Sequence, residues 1–63
     1  MLHISDKNIR IEEYKDLISA SNEFIEIQGK HSRIQIKGID LKITSLNEEE
    51  IYLIGKIQEV IFL

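Results

Sequence analysis

Apolar residues recur at every second position along much of this chain, as in Ile9 and Ile11, Ile34 and Ile36, Leu41 and Ile43, and Ile51 and Leu53. Successive side chains of a strand point to opposite faces, so short alternating runs bounded by Gly, Asn, Asp and Ser predict strands joined by tight turns. Leu2 and Ile4 start a first short strand, and Asp6-Lys7-Asn8 is a turn. The alternation from 8 to 13 is a second strand, followed by one around 17–20. Another runs over 23–28, where Phe24, Ile25 and Ile27 place bulk on both faces, and Gly29-Lys30-His31-Ser32 closes it. Strands at about 33–37 and 40–45 follow, with Gly38 and Asp40 as the structural turn between them. A last hairpin spans residues 50–63, with Gly55 as its turn. A helix over 11–21 is the one competitor; it lacks a sustained i, i+3, i+4 apolar stripe.

The pattern predicts an all-β fold: a compact antiparallel meander of about six to eight short strands forming a small sandwich or barrel-like sheet, in a single domain over residues 1–63. A β-solenoid-like stack is the alternative, and it comes second because no residue motif repeats beyond simple alternation. Both faces of the last hairpin are apolar. A strand in a small open sheet keeps one face wet, so Tyr52, Ile54, Val60 and Phe62 are the candidate interface residues. The terminal Glu59-Val60-Ile61-Phe62-Leu63 combines high β-propensity, one charge and no proline, and is expected to be paired rather than left as a free edge.

Size sharpens that expectation. A chain of 63 residues buries only about 60% of the surface its unfolded form exposes. Cysteine is absent, so neither a disulfide nor a cysteine metal site reinforces the core, and self-association, as a homo-oligomer, is the remaining common remedy. The formal charge of −3 argues against a general binder of nucleic acid or anionic membranes. The charge is unevenly spread, with a net +3 over residues 28–42 and −3 over residues 43–63. The first residues lack the apolar core of a signal peptide, and no apolar run approaches the roughly 20 residues of a membrane span. A cytoplasmic protein is expected, peripheral to a membrane only through a partner.

Candidate chemistry is sparse. His3 and His31 lack a neighbouring Ser or carboxylate motif and are read as solvated. Glu48-Glu49-Glu50 lacks the glycine-fixed Asp/Asn loop of calcium sites and is read as a charged turn. Gly29, Gly38 and Gly55 form no phosphate-cradling motif. No catalytic residue, metal or cofactor is expected. Arg33, Lys37 and Lys42 alternate with Ile34, Ile36 and Ile43, and so form a candidate docking face for an anionic partner. A small nucleic-acid-binding β-module using these three residues is the second functional reading, weakened by the absence of interleaved aromatics for base stacking. Tyr14 and Tyr52 are read as packing or interface residues.

From Ile9 to Phe62 the chain resembles the YabP/YqfC family of small sporulation proteins, and the YqfC branch more closely. The resemblance is carried by IRIEEYKDLI, FIEIQ, RIQIKGIDLKITSL and EEEIYLIGKIQEVIF, in that order. Its most specific pieces are Ile34-x-Ile36-x-Gly38-x-Asp40-Leu41-x-Ile43-x-x-Leu46 and Ile54-Gly55-Lys56-Ile57. One departure is Asp16, where family members often carry glycine. The resemblance implies a non-enzymatic protein of the mother cell of an endospore-forming bacterium. It also implies an adaptor or assembly role beside YqfD, a membrane-associated sporulation protein. The family supplies no catalytic residues; Gly38, Asp40, Leu41 and Gly55 match its motif as residues fixing turns and core.

Overall fold

The computed structural model describes residues 2–63, which form six strands: β1 (Leu2–Ile4), β2 (Asn8–Glu12), β3 (Asp16–Ala20), β4 (Phe24–Gln28), β5 (Arg33–Leu46) and β6 (Glu50–Phe62). All pair antiparallel in one sheet of order β1-β2-β6-β5-β4-β3. The all-β expectation holds, and a solenoid stack is excluded by this order. The competing helix over 11–21 does not form, because those residues are shared between β2 and β3. The run β3-β4-β5-β6 is a meander, but the β1–β2 hairpin joins the far side of β6.

The expected breaks at Gly38 and Gly55 are corrected by the structure. Each lies inside a continuous strand, β5 of 14 residues and β6 of 13, so the last hairpin is instead one long arm of the β5–β6 hairpin. At about 3.3 Å per residue a straight β5 would span roughly 46 Å, yet the longest dimension of the molecule is 25 Å. The hairpin is therefore creased, and its register shifts between Lys37 and Gly38 and between Ile39 and Lys42 mark where. The crease divides the sheet into two leaves. In the first, β2 pairs with the start of β6, from Asn8↔Ile54 to Glu12↔Glu50, and the end of β5 lies on the other side. In the second, β4 pairs with the start of β5, from Phe24↔Lys37 to Gln28↔Arg33, and the end of β6 lies beyond.

Leu41 fills the crease. It is buried, and its Cδ2 lies 2.9 Å from where a Cβ would stand on either Gly38 or Gly55. Gly55 has φ of 139°, a conformation that side chains disfavour, and a Cβ on Gly38 would fall 2.2 Å from the Lys56 carbonyl oxygen. Asp40, with φ of 54°, supplies the left-handed step that turns Leu41 inward.

The two leaves are built alike. Ser5 and Ser21 close equivalent turns: the Ser5 amide donates to the Asn8 carbonyl at 2.9 Å and the Ser21 amide to the Phe24 carbonyl at 2.8 Å. Each serine Oγ also accepts the amide three residues on, at 3.1 and 3.0 Å. Both turns brace the crease, Gly55 N donating to Lys7 O and Ile57 N to Asp6 O, as Gly38 N donates to Glu23 O and Leu41 N to Asn22 O. The unit Ser5-x-x-x-Ile9-x-Ile11 thus recurs as Ser21-x-x-x-Ile25-x-Ile27, an internal repeat that alternation alone concealed.

Between the leaves lies the core. Ile9, Ile11, Ile51 and Leu53 from the first leaf pack with Ile25, Ile27, Ile34 and Ile36 from the second, with Leu41 at the fold. Among the described residues no polar side chain is buried. Each fully buried isoleucine contributes roughly 1.5–3 kcal/mol of transfer free energy, so these nine side chains are the main source of stability.

Candidate interaction surfaces

Tyr52 and Ile54 project from the outer face of the first leaf, because they alternate with the buried Ile51 and Leu53. Tyr52 stands opposite Arg10 across the β2–β6 pair. Arg10 Nη1 donates to the Tyr52 hydroxyl at 3.1 Å, and the guanidinium carbon lies 5.7 Å from the ring centroid, within cation–π range. Arg10 Nη2 donates to Glu12 Oε1 at 3.0 Å and reaches His3 Nε2 at 3.1 Å. The Tyr52 hydroxyl, and after it the Glu12 carboxylate, raise the Arg10 pKa above its ordinary value against the opposing effect of desolvation. His3 Nε2 also lies 3.4 Å from Glu12 Oε2. That single nitrogen either accepts from Arg10 or donates to Glu12. His3 therefore belongs to a cross-strand polar network that the sequence alone did not reveal. The registers that set His3 opposite Arg10 across β1–β2 and Arg10 opposite Tyr52 across β2–β6 were the missing information.

Val60 and Phe62 lie beyond the crease, opposite Ile36 and Ile34, on the inner side of the second leaf. Val60 packs against the core, whereas Phe62 is 55% exposed at the open end between the leaves. There Leu2, Ile11, Ile34 and Phe62, with His31 and Glu12, line an open hollow of about 390 Å³. Tyr14 packs against the core, and its hydroxyl donates to the Asn47 carbonyl. Asn47 in turn closes the β5–β6 loop by accepting the Glu49 and Glu50 amides through Oδ1, both at 2.9 Å. The glutamate run is thus a turn capped by Asn47. Among the described residues no group of three or more His, Cys, Asp or Glu is arranged to hold a metal.

The basic residues do not form one patch. Arg33 and Lys37 share the outer face of the second leaf on either side of Gln35, and each has a carboxylate nearby: Glu26 at 3.5 Å from Arg33 and Glu59 at 4.0 Å from Lys37. Lys42 lies past the crease, opposite Ile54 on the first leaf. The register shifts between Ile39 and Lys42 separate it from the other two.

The end of β6 is paired on one side only. β2 stops opposite Ile54, so, among the described residues, 59–62 have β5 as their partner and no strand beyond. Arg33 and Leu63 exchange both main-chain hydrogen bonds, at 3.2 and 2.8 Å. By alternation Ile61 directs its N–H and C=O at β5, while Val60 and Phe62 direct theirs outward from the sheet.

The fold thus defines a small all-β domain made of one sheet folded on itself around an aliphatic core. The chain belongs to the YabP family, whose model matches residues 2–63. No curated protein and no solved structure shows significant similarity to it. Among the described residues no helix is long and apolar enough to cross a membrane.

Proposed function

We propose that this chain is a non-enzymatic sporulation protein of the YqfC branch, an interaction or assembly module of the mother-cell cytoplasm that works beside a YqfD-like membrane protein. The observation that carries the reading is the family match over residues 2–63. The surface is consistent with it: Ile54 and Phe62 of β6, and Leu63 just after it, are exposed at 46%, 55% and 64%.

The test is to purify a tagged chain from sporulating cells after gentle cross-linking and identify what accompanies it. A membrane sporulation protein in the wild-type sample, lost from Ile54→Lys or Phe62→Lys chains that keep their β-sheet circular dichroism, is the expected result. Both residues are exposed, so lysine leaves the fold intact while placing an unpaired charge in any surface that must become buried. Recovery of nucleic acid in place of protein would overturn the proposal.

A further inference from the structure

We propose that the open edge of β6, residues 59–63, pairs antiparallel with the same edge of a second copy about a two-fold axis at Ile61. This rests on the assembly reading above and names one partner for it. The pairing joins two second leaves into a continuous sheet of order β3-β4-β5-β6-β6-β5-β4-β3.

The folded sheet has four edges, three of which are blunted. β1 is only three residues long. β3 carries a register shift between Leu17 and Ser19 that leaves Ile18 as an extra, bulged residue. The end of β5 carries another between Ile43 and Ser45 at Thr44, and Lys42 lies beside it. Short strands, bulges and lysines are the usual devices that stop a sheet edge from recruiting another chain. The end of β6 has none of them from Glu59 to Phe62, where its register with β5 is regular, and it is the most apolar of the four.

The backbone then selects the register. Val60 and Phe62 have outward N–H and C=O groups, so an added antiparallel strand must place these residues in hydrogen-bonded pairs. An axis at Ile61 sets Val60 against Phe62 of the second copy and the reverse, giving two pairs that each exchange both bonds. Ile61 then faces Ile61 as a close, non-hydrogen-bonded pair. Charge separates this axis from those nearer Glu59, and an axis at Phe62 would leave a single hydrogen-bonded pair. An axis at Glu59 would place two like carboxylates face to face, and one at Val60 would set them diagonally adjacent, both unfavourable across a strand pair. The Ile61 axis moves the two Glu59 side chains to opposite ends of the contact, each still beside its own Lys37, 4.0 Å away. It also covers Phe62 and Leu63, exposed at 55% and 64%. The same surface is used by both copies, so the contact closes as a dimer.

The chain contains no cysteine, which makes the geometry directly testable. In Ile61→Cys the two thiols lie across the axis on α-carbons about 4.5 Å apart, within the span a disulfide bridges. Mild oxidation at tens of micromolar should convert most of this variant to a covalent dimer, while Ser19→Cys on the blunted β3 edge stays monomeric. Adding Phe62→Pro removes an outward N–H and should abolish the cross-link; Phe62→Ala, which keeps that N–H, should preserve it. In the unsubstituted chain the Val60 and Phe62 amides should exchange hydrogen more slowly as concentration rises. The pairing is overturned if Ile61→Cys cross-links no better than Ser19→Cys, or if those two amides exchange at a concentration-independent rate. It is overturned alone, with the adaptor role intact, if the Ile61→Cys chain fails to cross-link yet still recovers a membrane partner from cells.

Discussion

Leu41 shows how much one side chain can ask of its neighbours. It is 5% exposed, and it reaches that burial only because Gly38 and Gly55 present bare backbone on either side. Alanine at Gly38 would meet the Lys56 carbonyl at 2.2 Å, and alanine at Gly55 would combine contacts of 2.8–2.9 Å with a φ of 139°. Backbone strain of that kind alone costs of order 1–3 kcal/mol. Gly38→Ala and Gly55→Ala should therefore each remove most of the stability of so small a domain, and Leu41→Ala about 2–5 kcal/mol through the cavity it leaves. Urea denaturation followed by circular dichroism measures all three. A loss below 1 kcal/mol for either glycine would contradict the crease as described. Both glycines and Asp40 stand out in the sequence as places suited to a special backbone conformation, since Gly and Asp tolerate left-handed geometry. Their reason for being there does not, because close approach depends on which residue of a distant strand lies opposite.

At the scale of elements, the alternation of apolar residues locates four of the six strands to within a residue or two, and the two long ones only as fragments. A crease and a reversal both interrupt the period-2 pattern with glycine, so Gly38 reads the same whether the chain turns back or bends onward. The Ser5 and Ser21 turns make the complementary point. Within the seven-residue unit they share only a serine and two isoleucines, sixteen positions apart, too little to separate a repeat from ordinary β-composition, yet their hydrogen bonds match one for one. That equivalence predicts equal effects. Ser5→Ala and Ser21→Ala each remove an acceptor for two amides, and should each cost about 0.5–1.5 kcal/mol, the usual net value of an exposed-to-intermediate hydrogen bond. The urea midpoint should fall by a similar amount in both, with unchanged slope. Tyr52→Phe, which takes the acceptor from Arg10 but leaves the ring beneath it, should lie in the same range or below.

At the scale of the whole molecule, two leaves share a core of nine aliphatic side chains with nothing polar among the buried residues described. A domain of 63 residues has about 3–9 kcal/mol of stability in hand, so any contact that covers further apolar surface changes its apparent stability measurably. If the β6 edges pair, folding is coupled to association and the midpoint of thermal unfolding becomes concentration-dependent. A tenfold rise in concentration adds about 1.4 kcal/mol per dimer, or about 0.7 kcal/mol per chain, which for a domain this small moves the midpoint by roughly 3–6 °C. Phe62→Pro should abolish that dependence while keeping the monomer's β-sheet spectrum. It replaces an amide that alternation directs away from β5, at a half-exposed position on an edge, where proline is tolerated. A wild-type midpoint that stays constant over a hundredfold range of concentration would show that the domain folds on its two leaves alone and that its exposed Phe62 and Leu63 answer to a different partner.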